Sequence, residues 1–242
     1  MKRTLRLILT GLLLVLSTML HSLVVKADAS LNVSDFAGLQ SALSDADSVI
    51  NITIDASFEI TALLTVPTGK TVTITSGTGG PYTLTREGSV TGNLITVAAS
   101  SSLTLSNIIL DGNKGALNAN GSLILSNGDL TLNAGAVIQN NASGNAATIG
   151  GGITINATGS FTMHGGRITN NSSNSYGGGL YINGFSTPYL IDGGEFSYNH
   201  ADAPGLGCGG AIESYGIGTI TNTLFIGNSV AYMGGAIDNM AI

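Results

Sequence analysis

"FIGNSVAYMGGAI", Phe225 to Ile237, is the stretch on which the reading of this chain turns. An aromatic residue opens it, an asparagine follows three positions on, and a glycine pair leads into Ala236 and Ile237. The first element, a large apolar residue, two intervening residues and Asn, recurs upstream. It stands at Leu110–Asn113, Ile138–Asn141, Ile168–Asn171, Phe196–Asn199 and Phe225–Asn228, at successive spacings of 28, 30, 28 and 29. A second apolar site lies five or six positions earlier each time, at Leu105, Leu132, Met163, Ile191 and Ile220. A glycine cluster with a following aliphatic lies downstream, at Gly150–Ile153, Gly177–Leu180, Gly209–Ile212 and Gly234–Ile237. The glycine spacings of 27, 32 and 25 are looser, as expected when one loop per repeat varies in length.

A period near 29 admits few architectures. Helical repeats need runs of ten or so residues with 3.6 periodicity and good helix formers. Segments such as "SLTLSNIIL" and "GSFTMHGGRI" alternate with period two instead, and their Gly, Asn and Thr are poor in helices. The dense leucine framework of leucine-rich repeats is missing, and a propeller blade needs about 40 residues. The pattern therefore predicts an all-β fold, a single-stranded right-handed parallel β-helix with one coil of about 29 residues per repeat.

Each residue class has a place in such a coil. Leu105, Leu110, Ile138, Ile153, Ile168, Leu180, Ile191, Ile212, Phe225 and Ile237 are expected to stack in core columns. Asn113, Asn141, Asn171, Asn199 and Asn228 are expected at corners, where Asn tolerates left-handed backbone angles, and to bond one another in a ladder. The pairs Gly151-Gly152, Gly178-Gly179, Gly209-Gly210 and Gly234-Gly235 are expected to make sharp turns of positive φ. "SDFAGLQSALSDA", Ser34 to Ala46, is the one amphipathic helix, with Ser34 as N-cap, Asp35 in its first turn and Phe36, Leu39, Ala42 and Leu43 on one face. It is placed to cap the open end of the stack, since a bare coil is an exposed sheet edge.

Residues 1–29 differ from the rest. Lys2, Arg3 and Arg6 make a basic start, Leu7 to Val25 carry no charge, and Ala27-Asp28-Ala29 offers small residues for cleavage before Ser30. This is the pattern of a secretory signal peptide. The domain reading is thus a signal peptide over 1–29, an N-terminal cap over 30–48 and a β-helix over 49–242. The chain stops inside a repeat, just after "GGAIDNMAI", so a truncated stack is expected, completed by a further coil or a covering molecule.

Export sharpens the charge balance. Residues 1–29 hold four of the eight basic residues and one of the fourteen acidic ones, leaving four cations, thirteen acids and a net charge of −9. Four scattered cations cannot neutralise a run of phosphates, so nucleic acid is excluded as a partner, as is adhesion to an anionic bilayer. No later segment is apolar over a long enough run to span a membrane. Cys208 is the only cysteine, so no internal disulfide staples the fold; burial as a small apolar residue is expected.

With the repeat laid out, Phe225–Asn228 and Phe196–Asn199 resemble the F-x-x-N element of the polymorphic outer membrane protein repeat. Gly209–Ile212 and Gly234–Ile237 resemble its G-G-A-[ILV] element. Gly150–Ile153 and Gly177–Leu180 match with Gly for Ala, and Ile or Leu replaces Phe in three of the five first elements. The resemblance covers roughly residues 103–242, and more broadly the chain is similar to β-helix passenger domains of the pectate-lyase-like class. It implies an adhesin-like protein, secreted or displayed at the cell surface or outer membrane, that meets host or matrix glycans, host proteins or other surface proteins. Members of the family end in an outer-membrane β-barrel, which is not found in this sequence.

Many β-helices act on polysaccharides with clustered carboxylates. Asp192, Glu195 and Glu213 are the one constellation that could serve such a reaction, and a polysaccharide lyase, glycoside hydrolase or carbohydrate-binding remnant of one is the alternative reading. Arg167, one repeat before Glu195 at a matching phase, is expected to pair with it across coils. His164, ahead of Gly165-Gly166 and "RIT", lacks the aspartates and lysine of a polygalacturonase-like site, and His200, after the corner Asn199, is expected in a loop. "TGKT", Thr68 to Thr71, has Leu64 where a phosphate loop needs Gly, and reads as a turn entering a strand. No metal or cofactor motif is present, and no cofactor is expected.

Overall fold

The computed structural model describes residues 28–115, 119–144, 150–202 and 208–240; all but two residues of the proposed signal peptide lie outside them. The chain is a right-handed parallel β-helix of about six turns. Three parallel sheets run the length of the stack, and every coil contributes one strand to each in turn. Sheet 1 has eight strands, from Ala29–Val33 and Val49–Ile54 at one end to Ile217–Thr221 at the other. Sheets 2 and 3 have seven strands each, from Phe58–Ile60 to Leu224–Ile226 and from Leu64–Val66 to Ile237–Asn239. A shorter fourth ladder, Ser172–Ser173, His200–Ala201 and Ser229–Val230, forms at one corner, so His200 belongs to a strand rather than a loop.

Register converts the repeat into columns. In sheet 1 Ile52, Ile74, Leu105, Leu132, Met163, Ile191 and Ile220 lie one above another. In sheet 2 the column runs Leu84, Leu110, Ile138, Ile168, Phe196 and Phe225. In sheet 3 it runs Leu64, Ile95, Ile124, Ile153, Leu180, Ile212 and Ile237. The ten predicted core residues fall in these columns, and eight are fully buried; Phe225 and Ile237, in the last coil, are partly covered and 39% exposed respectively. Each buried Leu or Ile stabilises the fold by roughly 1.5–3 kcal/mol, and Phe196 stacks on Phe225 with ring centroids 5.4 Å apart.

The helix spans Phe36–Leu43 (α1) and starts one residue later than the sequence suggests. Asp35, not Ser34, is its N-cap: its backbone is extended and its Oδ1 accepts a 2.7 Å bond from Gly38 N–H. Leu39, Ala42 and Leu43 are buried and Phe36 packs against the core, so α1 covers the first coil as expected of a cap. The cap region also holds the strand Ala29–Val33, which pairs with Val49–Ile54 and adds a rung to sheet 1. Lys70 ties the cap down by donating 2.7 Å bonds from Nζ to the carbonyls of Asp45 and Asp47, which gives the "TGKT" turn its role.

The corner between sheet 2 and the fourth ladder is where the asparagines act. The left-handed residue there is the one before the repeat Asn: Asn140, Asn170, Tyr198 and Gly227 have φ of 56°, 54°, 55° and 57°. The turn made one residue early swings Asn141, Asn171 and Asn199 inward, where all three are fully buried. The Oδ1 of Asn171, Asn199 and Asn228 accepts the backbone N–H of the Asn one coil before, at 3.1, 3.1 and 3.0 Å. The Nδ2 of Asn171, Asn199 and Asn228 donates to the carbonyls of Ile138, Ile168 and Phe196.

Asn113 is not part of this ladder. It takes the left-handed turn itself (φ 54°), and its Nδ2 donates to Arg86 O. The Oδ1 of Asn141 would thus lack a donor from the coil before. Arg86 fills that place from inside the stack. Its fully buried guanidinium donates to Asn141 Oδ1 and to the carbonyls of Val90, Gly92 and Ser122. Burial alone pushes its pKa down to about 10, which leaves it charged at neutral pH.

Positive φ among the cluster glycines falls on the first of three groups, Gly177, Gly209 and Gly234, at 51°, 63° and 69°. The second glycine serves a different need. Gly151, Gly178, Gly210 and Gly235 stack in a column against the fourth ladder. A Cβ at Gly210 would overlap the carbonyl oxygens of Gly235 and Ser229, and one at Gly178 would overlap Gly210 O. Gly152 and Gly179 stand where Ala211 and Ala236 stand in later coils, and a Cβ at Gly179 would come 2.8 Å from Ala211 O, a milder overlap than at Gly210.

Two outcomes follow for urea denaturation. Asn171→Ala removes the bonds that Asn171 makes with Asn141 N–H, Ile138 O and Asn199 Oδ1 and lowers stability by roughly 3 kcal/mol, while Asn113→Ala, which loses one bond and places Ala at a left-handed angle, costs roughly 1 kcal/mol. Gly210→Ala costs roughly 2 kcal/mol or more through backbone overlap, and Gly179→Ala clearly less. Equal losses within either pair would contradict the assignment.

Candidate functional site

The three acids singled out in the sequence do not come together. Asp192 ends a strand of sheet 1, Glu195 begins one of sheet 2, and Glu213 lies in the middle of a strand of sheet 3. Sequence proximity put them side by side, but a coil turns a corner between each sheet and the next. Asp192 is an exposed turn acid; hydrogen bonds from Asn222 and Thr221 hold its carboxyl below the ordinary value. Glu195 lies beside Arg167 in register on the neighbouring coil. The expected ion pair is not made: among the described residues the one basic–acidic contact within 4.0 Å is His200 Nε2–Asp202 Oδ1, at 3.0 Å, ionic only with a protonated imidazole.

Glu213 stands apart. It alternates with the core residue Ile212, so it points to the outer side of sheet 3, yet it is only 1% exposed. Thr154, Tyr181, Glu213 and Asp238 form one column there, in register across four coils. Cys208 reaches the same place from the turn that opens with Gly209, whose positive φ folds the chain back. Ligand atoms of Cys208, Glu213 and Asp238 all lie within 4.8 Å of one another. Glu213 Oε2 and Asp238 Oδ2 are enclosed and have no hydrogen-bond partner. Burial first, and the Asp238 charge second, push the Glu213 carboxyl up to about 8; burial pushes the Cys208 thiol up to about 11.

An aromatic cluster adjoins the acids. Tyr181 stacks on Tyr176 at 5.3 Å and meets Tyr215 edge to face at 6.2 Å; Phe185 meets Tyr215 edge to face at 5.3 Å. Burial raises the phenol pKa of both Tyr181 and Tyr215. Tyr181 Oη donates to Asn183 Oδ1 at 3.2 Å. Asn183 ends a second asparagine column with Asn156 and Asn127, in which Asn156 Nδ2 donates to Asn127 Oδ1 at 2.8 Å. Tyr181, Phe185, Tyr215 and the three amides line an open groove of about 520 Å³, together with Ala157, Thr158 and Gly184. A groove of that size is in the range of small-molecule sites.

Sequence reasoning did not find the groove. Asn127, Asn156 and Asn183 each follow an aliphatic strand at spacings of 29 and 27, a periodic signal as regular as the one that revealed the first ladder. The aromatic cluster has no such signal, because Tyr176, Tyr181, Phe185 and Tyr215 come from two coils and different phases of the repeat. No protein-family model, curated protein or solved structure matches the chain. Fold and groove geometry therefore define it as a parallel β-helix with an aromatic-and-amide groove outside one sheet. Among the described residues no helix is long and apolar enough to cross a membrane.

The buried acid sets a pH dependence. The folded chain keeps the Glu213 proton up to about pH 8, whereas the unfolded chain releases it near the ordinary 4.5. Between those values the folded state binds the extra proton, so stability falls as pH rises through that window and levels off above it. With EDTA present, the urea midpoint should decline from pH 5 to 8 and the decline should be largely absent in Glu213→Gln. An unchanged slope in the variant would assign the dependence elsewhere.

Proposed function

We propose that this protein is an exported, surface-displayed β-helix with an adhesin-like role, and that it binds neutral glycans in the groove outside sheet 3. Export rests on the signal-like pattern of residues 1–29, and surface display on the resemblance to the polymorphic outer membrane protein repeat. The observation that carries the ligand class is the pairing of an aromatic platform with a column of amides. Tyr215 and Phe185, the latter 58% exposed, offer rings to the apolar C–H face of a sugar. Asn127, Asn156 and Asn183 offer both donors and acceptors, which match hydroxyls that are themselves both. The stacking repeat of about 4.8 Å along the column suits a chain of ring-shaped units rather than one compact molecule.

Charge selects among glycans. The groove lining carries no charged side chain. The four cations outside residues 1–29 lie elsewhere: Lys70 on the cap, Arg86 in the core, Lys114 on Asn170 and Arg167 in sheet 2. Uronate-rich polymers would meet an acidic protein with no compensating partner, which favours uncharged sugars.

The test is a glycan array followed by calorimetry on the best neutral oligosaccharide. Tyr215→Ala or Phe185→Ala should weaken binding roughly tenfold, as expected for losing a stacked ring. Asn222→Ala, on sheet 1's far corner, should leave it unchanged. Absence of binding to any neutral glycan, or equal binding by all three variants, overturns the reading. Release of new reducing ends that disappears in Glu213→Gln would instead support a polysaccharide-active enzyme.

A further inference from the structure

We propose that Cys208, Glu213 and Asp238 form a binding site for a thiophilic divalent cation, of which Zn²⁺ is the best fit. The proposal is independent of what the groove binds. Three features carry it. The ligand atoms already converge within 4.8 Å of one another. A tetrahedral zinc site with one sulfur at about 2.3 Å and two oxygens at about 2.1 Å sets its ligands about 3.4–3.6 Å apart, so small side-chain rotations close it. Glu213, 1% exposed, aims a carboxylate oxygen with no hydrogen-bond partner into the cluster, and the enclosed Asp238 Oδ2 does the same from the next coil.

Parallel stacking makes this juxtaposition unavoidable. Glu213 and Asp238 are in register, so their backbones are one rung apart. Two carboxyl groups at that spacing, shielded from water and without a cation nearby, do not both ionise, so one keeps its proton until a cation takes its place. The surrounding column offers hydroxyl and phenol groups from Thr154, Tyr176, Tyr181 and Tyr215, none of which brings positive charge. A bound dication would satisfy both orphaned oxygens and take the thiolate of Cys208, which is 8% exposed.

The donor set selects the metal. Ca²⁺ and Mg²⁺ take oxygen ligands and more of them, and the thiolate counts against both. One sulfur and two carboxylates suit Zn²⁺, with Co²⁺ as its spectroscopic stand-in, and three protein ligands leave a fourth position for water. Cys208 binds through its thiolate, so one proton leaves the thiol for each metal bound, together with any proton held on the carboxyl pair.

The experiment uses reduced, chelator-stripped protein titrated with Zn²⁺ and, separately, Co²⁺. One Zn²⁺ per chain is expected by calorimetry, with a thiolate-to-Co²⁺ charge-transfer band that Zn²⁺ abolishes and Ca²⁺ does not. Zn²⁺ should slow iodoacetamide alkylation of Cys208 at least about tenfold, and Cys208→Ser and Glu213→Gln should each weaken Zn²⁺ at least about tenfold. No stoichiometric binding, undiminished binding by folded Cys208→Ser, or displacement of Co²⁺ by Ca²⁺ overturns the proposal. Should the variants fail to fold by circular dichroism, alkylation of the unmodified protein decides: rates unchanged by Zn²⁺ overturn it.

Discussion

The structure depends on satisfying backbone groups at a buried corner. A coil of about 28 residues must turn sharply between flat sheets, and at each turn it leaves N–H and C=O groups facing a dry interior. The N–H groups of the corner asparagines lie past the ends of the sheet 2 strands, where no ladder partner reaches them. Asn141, Asn171, Asn199 and Asn228 solve this with one side chain per coil. In the last three, the oxygen takes the N–H of the preceding rung and the amide donates to the carbonyl of a preceding core residue. The apolar columns supply most of the stabilisation, but they could slide along one another. The amide ladder fixes which residue faces which, because a one-residue slip would bury several unpaired polar groups at once.

A ladder of this kind has ends, and the ends show what it requires. Towards the N-terminal side the repeat lapses at Asn113, and Arg86 takes over with bonds to three carbonyls and to Asn141 Oδ1. A charged guanidinium with only neutral acceptors costs more to bury than an amide, and its Nε is left without a partner. The chain tolerates that cost because the alternative is an open acceptor at the start of the ladder. Coil lengths read from sheet 1 register are 22, 31, 27, 31, 28 and 29, so the irregular coils lie at the end where Arg86 sits.

Most of the fold was legible because translation makes it redundant. Phe225–Asn228 taken alone is one short motif among many; five copies in register announce both the period and the inward residues. What the repeat could not convey is anything that depends on which residue takes the turn. Asn was assigned the left-handed angle on its intrinsic tolerance, yet Tyr198 adopts φ of 55° so that Asn199 can point inward. Propensity yielded to the need of the buried partner. The candidate site was less legible still. Asp192, Glu195 and Glu213 are near in sequence but lie on three sheets, whereas Glu213 and Asp238 are separated by a whole coil of sequence and stand in register. In a solenoid, proximity is measured in whole coils.

That rule also explains why charge is so sparse. Any residue repeated at the same phase is stacked on its copies about 4.8 Å away. Apolar groups, amides and hydroxyls gain from that, since each finds a like partner; charges of one sign lose. The chain accordingly has 9% charged residues and builds its faces from Asn, Ser and Thr. Against that background a register-matched Glu213 and Asp238, enclosed with a thiol and with no cation beside them, is the one place among the described residues where the sequence departs from the rule its architecture imposes. Departures from an otherwise consistent pattern persist at functional sites, where a local cost is offset by what the site does. The groove nearby obeys the rule, with amides stacked on amides, and so needs no ion to hold its shape. The two features share the outer side of sheet 3 but answer to different physics: one is stable through repetition, the other calls for a counter-charge.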